Sequence, residues 1–288
     1  MSASPVIGVP SQQHQHQHQP NHHFHNDSLT SSPQPARQPL PSSGRRPTTA
    51  TAAMRQEKAA AAAATAGRGA GGLIRLEIYM DLLCPWCFIE KHSLDALMQR
   101  YTEEHPEVRF EVAYKPYYIA QTMAKHNVEK RSVYDRLNNL YPSFLTRIQV
   151  TGAKYDIAFS IRGLTGSTRP AHRLIALALH ELGPAAQARV VETLFQGHFE
   201  DGRDVSDDAW LVGVGVAAGM PEAVVRLGLD DDDAARRVDA MADAARDVIG
   251  VEAVPCVMVQ GRYKVGGYQE SQVFESLFDK IRQAGEAF

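Results

Sequence analysis

The stretch that decides the fold is LIRLEIYMDLLCPWC, residues 73–87. Residues 73–80 form an apolar run with partial alternation, which is typical of a buried β-strand. After the cysteine run, apolar side chains fall at helical spacing on one face: Leu94, Leu97, Met98 and Tyr101. Pro85 suits the first position of a helix, where its missing N–H would in any case lack a partner. The stretch therefore predicts a strand, a short turn and a helix that begins near Pro85.

A second strand is predicted for residues 108–114, whose side chains alternate between apolar and polar. Two strands that flank one helix favour a right-handed crossover and a parallel pair. In such an arrangement Cys84 lies at the carboxyl end of the first strand, where the sites of open α/β sheets gather.

The rest of the chain predicts a helical block followed by a hairpin and a final helix. Between residues 117 and 250 we expect helices at residues 133–150, 171–182, 185–199, 207–218 and 234–249, and no strand. The acids Asp230 to Asp233 are interpreted as the cap of the last of these helices. A hairpin joins residues 254–259 to residues 263–265, and residues 270–284 form the final helix. This order of elements indicates an α/β fold with a helical insertion.

The composition excludes several classes of protein. The 288 residues include 30 Lys and Arg against 33 Asp and Glu, without a long basic block, so no nucleic-acid partner is expected. No apolar stretch approaches the roughly 18 to 20 residues that a membrane helix needs, so no membrane partner is expected. Three cysteines are too few for a disulfide-stapled secreted domain, and a secretory signal is not recognisable. We therefore expect a cytoplasmic protein.

Residues 1–72 are predicted to be a disordered, low-complexity tail, because Gln, His, Pro, Ser, Thr and Ala dominate them. The histidines of this tail could chelate a transition metal, but such tracts are common, so no metal is assigned to them. The tail also has few acids, several arginines and an Ala-rich piece at residues 52–66. These features leave a mitochondrial presequence as the alternative interpretation.

The cysteine run carries the chemistry. A cysteine reacts as its thiolate, and the dipole and free N–H groups of a helix N-terminus, where Cys84 is expected, stabilise a thiolate. Cys87 follows one turn later, where it can close a disulfide with Cys84 or resolve a mixed disulfide formed there. We therefore expect an exposed Cys84 that attacks and a shielded Cys87 that resolves. Pro85 fixes the turn, and Trp86 offers substrates an apolar flank.

The cysteines allow two other interpretations. The pair could be half of a zinc site, but such sites normally have a second Cys or His pair at short spacing, and we find none. Cys256 follows Pro255 in a predicted strand, and a free cysteine in a strand often packs as a small apolar residue. We expect Cys256 to be buried and inert. The alternative is a third redox thiol that captures oxidised intermediates.

Residues 73–284 resemble the DsbA-like thioredoxin superfamily and, within it, the FrnE-type branch. Four motifs carry the resemblance: the run Asp81–Cys87 after the first strand, Ala171–Leu174 in the helical block, Val254-Pro255 before a strand, and Gly267–Gln269 before the last helix. The sequence differs from the family at Phe88 and Glu90, where Tyr and Gly are common. His172 of the second motif is interpreted as a packing residue.

The resemblance implies a thioredoxin-like fold with a helical domain inserted between the second and third strands. Residues 73–116 and 251–288 would form the thioredoxin core, and residues 117–250 the insertion. Val254-Pro255 would be the cis-proline loop that faces the disulfide and, with Pro85 and Trp86, lines the substrate groove.

The activity implied is that of a thiol-disulfide oxidoreductase acting on a protein or small molecule that contains a thiol or a disulfide. The resemblance requires no bound organic cofactor, although glutathione could be a redox partner. A homodimer is one possible assembly of the chain.

Related families suggest alternative activities. The kappa-class glutathione transferases and the 2-hydroxychromene-2-carboxylate isomerases resemble the same superfamily, but they use Ser at the position of Cys84 and glutathione as the activated thiol. The presence of both cysteines argues against that chemistry. Three alternatives are nevertheless kept: a glutathione-dependent isomerase or transferase, a tailoring enzyme of polyketide biosynthesis, and a non-catalytic binding module.

Overall fold

A computed structural model describes residues 72–120 and 128–284 of the chain. Residues Ala70–Phe288 form one compact unit. The predicted disordered tail at residues 1–72, with its histidines and the possible presequence, lies outside the described residues except for Gly72.

The centre of the described unit is a four-stranded sheet in the order β2-β1-β5-β6. Its strands are β1 (Leu73–Met80), β2 (Arg109–Pro116), β5 (Cys256–Val259) and β6 (Tyr263–Gly266). β2 runs parallel to β1, whereas β5 and β6 are antiparallel to their neighbours. The parallel pair confirms that part of the prediction, and helix α1 (Pro85–Glu104) joins the two strands.

Helix α1 packs against the last helix, α9 (Ser271–Gln283). The contact is aromatic, since the ring centroid of Phe278 lies 5.6 Å from that of Tyr101 and 4.9 Å from that of Phe110. The hydroxyl of Tyr101 donates to Asp279 at 2.9 Å. These buried contacts hold α1, and with it the cysteine run, against the sheet.

The segment between β2 and β5 is helical, as predicted. Its helices are α2 (Lys130–Leu140), α3 (Phe144–Gly152), α4 (Arg169–Leu182), α5 (Pro184–Phe199), α6 (Asp208–Ala217), α7 (Glu222–Asp230) and α8 (Asp232–Asp247). The side chain of Asp231 accepts a hydrogen bond from the N–H of Asp233 at 2.8 Å, which confirms the predicted cap of α8.

Three expectations for this segment were wrong. The single helix expected at residues 133–150 is two helices, because Pro142 cannot donate a helical hydrogen bond and disfavours a helical residue before it. Two short strands, β3 (Val128–Glu129) and β4 (Leu164–Thr165), pair where no strand was expected. α7 was not expected at all, because it is short and buries only Val225 and Leu229.

Among residues 72–120 and 128–284, no helix combines the length and the apolar character that crossing a membrane requires.

Candidate active site

Cys84 occupies the N-cap position of α1, with Pro85 at the first helical position as predicted. The N–H of Cys84 donates to the carbonyl of Asp81 at 3.0 Å, and the N–H of Cys87 donates to the carbonyl of Cys84 at 3.0 Å. These two bonds turn the chain from β1 into the helix. The thiol of Cys84 therefore lies at the positive end of a 20-residue helix.

The second wall of the site is the loop before β5. Tyr79 at the end of β1 pairs with Cys256 at the start of β5, which places the preceding residue, Pro255, beside the cysteine run. The Val254-Pro255 peptide bond is cis, in agreement with the resemblance. The thiol of Cys84 donates to the carbonyl of Val254 at 3.5 Å. Residues 170 positions apart in sequence thus meet at the reactive sulfur.

Both thiols of the pair are free and largely enclosed. Cys84 is 6% exposed and Cys87 is 3% exposed, so the expectation that Cys84 is exposed was wrong. Tyr134 of α2 and Cys84 belong to the same buried cluster, and burial, followed by the charge of Cys84, raises the pKa of Tyr134. The helical segment therefore contributes a phenol to the buried cluster that contains the attacking thiol.

Cys87 lies deeper than Cys84, as expected of a resolving thiol. Burial raises the pKa of Cys87 well above its usual value, and the hydrogen bond with Cys84, the charge of Cys84 and the charge of Asp81 raise it further. A backbone hydrogen bond at Asp81 acts in the opposite direction. Cys87 is consequently held as a neutral thiol until its proton has somewhere to go.

Trp86 lines a pocket of about 340 Å³. Its ring centroid lies 5.4 Å from that of Tyr268, and the guanidinium of Arg147 lies over it at 5.6 Å. Glu270 also lines the pocket, and its carboxylate lies 3.9 Å from the ammonium of Lys154. The pocket therefore offers an aromatic wall, a cation and a carboxylate next to Trp86.

A buried carboxyl group lies one turn beyond Cys87. Glu90 accepts a hydrogen bond from the N–H of Gln269 at 3.1 Å through Oε2. Its Oε1 has no hydrogen-bond partner among the described residues. Burial raises the pKa of Glu90 to about 8. Sequence reasoning gave Glu90 no role, although an acid where the family commonly has Gly was a signal.

Cys256 is buried, as predicted, in a small cluster with Tyr79, Ala245 and Val251. Burial also raises the pKa of Cys256. Its redox inertness stays a prediction. In the described part of the chain, no group of three or more His, Cys, Asp and Glu side chains is placed to hold a metal ion.

Known proteins share this architecture. The DSBA-like thioredoxin domain family matches residues 75–279. A probable DsbA oxidoreductase from Streptomyces coelicolor is 25% identical, with a TM-score of 0.62, and the match covers 75% of this chain and 92% of that one.

Two further structures are less similar in sequence. A 2-hydroxychromene-2-carboxylate isomerase is 17% identical, with a TM-score of 0.54 over 74% of this chain and 100% of that one. The cytosolic disulfide reductase DsbM from Pseudomonas aeruginosa is 15% identical, with a TM-score of 0.50 over 73% and 99%. Both likenesses are of fold alone.

No curated protein matches the sequence closely enough to count as a relative. The family model, however, spans well over half of the chain and includes the cysteine run and the Val254-Pro255 loop. The chain therefore belongs to the DsbA-like thioredoxin domain family.

Proposed function

We propose that this protein is a thiol-disulfide oxidoreductase in which Cys84 exchanges disulfides with the substrate and Cys87 resolves the intermediate. The observation that carries the proposal is the placement of Cys84 at the N-cap of α1 with a second free thiol one turn further on. A thiolate at this position is stabilised by the helix dipole and is a good attacking and leaving group.

In the reducing direction, the Cys84 thiolate attacks a substrate disulfide, one substrate sulfur leaves as a thiolate, and a mixed disulfide forms. Cys87 then loses its proton and attacks Cys84, which forms the Cys84–Cys87 disulfide and releases the second substrate thiolate. The substrate gains two electrons and the cysteine pair loses two. The oxidising direction is the reverse of these steps.

The proposed substrate is a protein or a small molecule with an accessible thiol or disulfide. Trp86 and Pro85 on one side and Val254 and Pro255 on the other border the sulfur of Cys84, and we assign substrate binding to these four residues. The carbonyl of Val254 accepts a hydrogen bond from the thiol of Cys84, so this loop lies where a substrate bound at the sulfur would meet it. No organic cofactor is needed, and glutathione is the proposed small-molecule redox partner.

The test is a redox titration of the full chain in buffers of reduced and oxidised glutathione. After acid quenching, free thiols are alkylated and Cys84 and Cys87 are quantified by mass spectrometry. We expect a single reversible two-electron transition, whose midpoint shows whether the protein oxidises or reduces its substrates.

The matched variant is Cys87→Ser, which keeps the attacking thiol and removes the resolving one. It should lose the two-electron transition and accumulate a Cys84–glutathione mixed disulfide. If the wild-type pair shows no transition, the proposal is wrong. Full turnover of a glutathione-dependent reaction by Cys87→Ser would favour a transferase or isomerase in its place.

A further inference from the structure

One wall of the pocket beside Trp86 is formed by the loop before α9. Tyr268 and Glu270 of this loop both line the pocket, and the ring centroid of Tyr268 lies 5.4 Å from that of Trp86. Gln269 lies between them in sequence, and its N–H donates to Oε2 of Glu90 at 3.1 Å. A hydrogen bond to α1 therefore fixes the middle residue of the three that form this wall.

Glu90 meets the loop from the inside of the protein. It is 1% exposed and lies one helical turn after Trp86, so the two side chains share a face of α1. On the same face, three residues further, the hydroxyl of Ser93 accepts a hydrogen bond from the hydroxyl of Tyr155 at 3.0 Å. The carboxyl group is therefore enclosed between α1, the loop before α9 and the turn that follows α3.

One oxygen of this carboxyl group is left without a partner. Oε1 of Glu90 and the hydroxyl of Tyr268 are both buried, and neither makes a hydrogen bond within the described part of the chain. An ionised carboxylate in this position would leave Oε1 charged and unsolvated, which is far less favourable than burial of the neutral acid. Burial accordingly raises the pKa of Glu90 to about 8. It also raises the pKa of Tyr268, so this phenol is neutral.

The cation that follows Glu90 in sequence is directed to other groups. The ammonium of Lys91 lies 2.7 Å from the carboxylate of Asp95 and 2.6 Å from that of Glu192. Burial lowers the pKa of Lys91, but these two carboxylates together raise it above its ordinary value. Lys91 is therefore the cation of its own ion pairs and does not neutralise Glu90.

The elements packed against Glu90 bring a like charge to it. The charge of Glu270 adds to the effect of burial and acts against the ionisation of Glu90. The ammonium of Lys154, in the turn after α3, lies 3.9 Å from Glu270. The guanidinium of Arg147, in α3, lies over the ring of Trp86 at 5.6 Å. Both cations are thus directed to the wall of the pocket, and the carboxyl group behind it stays neutral at physiological pH.

We propose that Glu90 is a positioning residue for substrate binding in the pocket beside Trp86. Its neutral carboxyl group holds Gln269 and thereby the two residues on either side, which form the wall. Ionisation of Glu90 draws the carboxylate toward solvent and loosens this wall, so that substrate binding weakens as the pH rises. The inference rests on the proposed oxidoreductase function and assigns it a residue that sets substrate preference. Because the family commonly has Gly at this position, the resemblance itself implies no such contact.

The experiment compares two disulfides that use the pocket differently. Glutathione disulfide is anionic and offers carboxylates to the pocket, whereas 2-hydroxyethyl disulfide is small and uncharged. The reduced full chain is mixed with an excess of each, and the loss of the free Cys84 thiol is followed by acid quenching, alkylation and mass spectrometry. The ratio of the two second-order rate constants measures the contribution of the pocket, because the chemistry at Cys84 is common to both.

A pair of variants tests the hydrogen bond to the loop. Glu90→Leu removes the acceptor for the N–H of Gln269 and keeps the position filled. We expect the ratio to fall about tenfold at pH 7, with the rate toward 2-hydroxyethyl disulfide changed less than about twofold. Glu90→Gln keeps an oxygen acceptor and should restore the ratio. The control is Glu103→Leu, an exposed substitution on the same helix, which should leave the ratio at the wild-type value.

The pH dependence distinguishes a positioning role from simple filling of space. Between pH 7 and pH 9 the wild-type ratio should fall relative to that of Glu90→Gln, because only the wild-type side chain can ionise there. Titration of the substrate is the same for both proteins and cancels in this comparison. If Glu90→Leu does not fold, these two profiles decide the question.

An unchanged ratio in folded Glu90→Leu, or parallel pH profiles of the wild type and Glu90→Gln, would overturn the role of Glu90 and leave the oxidoreductase function standing. An equal fall in Glu103→Leu would do the same. A wild-type protein that reacts with neither disulfide would overturn the oxidoreductase function, and the inference with it.

Discussion

The side chain of Gln187 binds the backbone of Tyr114 as a neighbouring strand would. Its Oε1 accepts a hydrogen bond from the N–H of Tyr114 at 2.9 Å, and its Nε2 donates to the carbonyl of the same residue at 2.9 Å. Tyr114 lies in β2, which is the edge of the sheet, and Gln187 lies in α5 of the helical segment. One buried amide thus satisfies an open strand edge and fastens the helical segment to the sheet.

Replacing Gln187 by Ala should destabilise the protein. The variant loses two hydrogen bonds and leaves a buried N–H and a buried carbonyl of Tyr114 without partners. We expect the free energy of unfolding to fall by about 2 to 4 kcal/mol, measured by urea denaturation of the full chain. Gln196→Ala removes an exposed amide from the same helix and should change it by less than about 0.5 kcal/mol. Equal losses in the two variants would show that the Tyr114 contact is unimportant.

The carboxyl group of Glu90 predicts a stability that falls with pH. Burial raises its pKa from the ordinary value of 4.5 to about 8, against the hydrogen bond from Gln269, which lowers it. Between these values the folded chain keeps a proton that the unfolded chain releases. The contribution of Glu90 to stability is therefore complete below pH 4.5 and is lost as the pH rises through about 8, by up to about 1.4 kcal/mol per pH unit.

The variant Glu90→Gln keeps the shape of the side chain and removes the titration. Its free energy of unfolding should exceed that of the wild type by an amount that grows between about pH 5 and pH 8. Glu103→Gln, an exposed substitution on the same helix, should leave the wild-type pH dependence intact. Parallel curves for wild type and Glu90→Gln would mean that Glu90 is ionised in the folded protein at neutral pH.

The parts of this structure that could be predicted are those held by interactions between residues close in sequence. β1, the turn at Cys84 and α1 are local, and the apolar run, the cysteine run and Pro85 specify them within 32 residues. The strands β3 and β4 are two residues each and exist only because they pair across 34 intervening positions, so no local pattern indicates them.

The candidate active site was likewise predictable only where its residues are close in sequence. The two cysteines were evident because only two residues separate them in sequence. The approach of His172 to Asp81 joins the helical segment to the turn after β1, and the environment of Glu90 depends on the loop before α9. Tyr134, which shares a buried cluster with Cys84, likewise comes from a distant helix. Sequence patterns identify reactive residue types, whereas the groups that tune them are set by tertiary packing.

The cation of the pocket beside Trp86 predicts a binding site for one carboxylate of a substrate. Arg147 is exposed, and its guanidinium lies over the Trp86 ring at 5.6 Å. There it can pair with a carboxylate of glutathione disulfide. Arg147→Glu should raise the KM for glutathione disulfide about 5- to 20-fold with little change in kcat, because binding and not exchange is affected. Arg131→Glu makes the same charge change on α2 at a different pocket and should leave the KM unchanged. Equal effects of the two variants would indicate a response to net charge only.

The three thiols should differ sharply in reactivity toward iodoacetamide. Cys84 is at the N-terminus of α1, where a thiolate is stabilised, whereas burial raises the pKa of both Cys87 and Cys256. At pH 7 we expect Cys84 to be alkylated at least about 100-fold faster than the other two, as followed by peptide mass spectrometry of the reduced chain. Cys256 serves as an internal control, because it is a buried thiol outside the helix N-terminus. If Cys84 reacts no faster than Cys256, the helix end does not activate it, and the exchange chemistry would need a different attacking thiol.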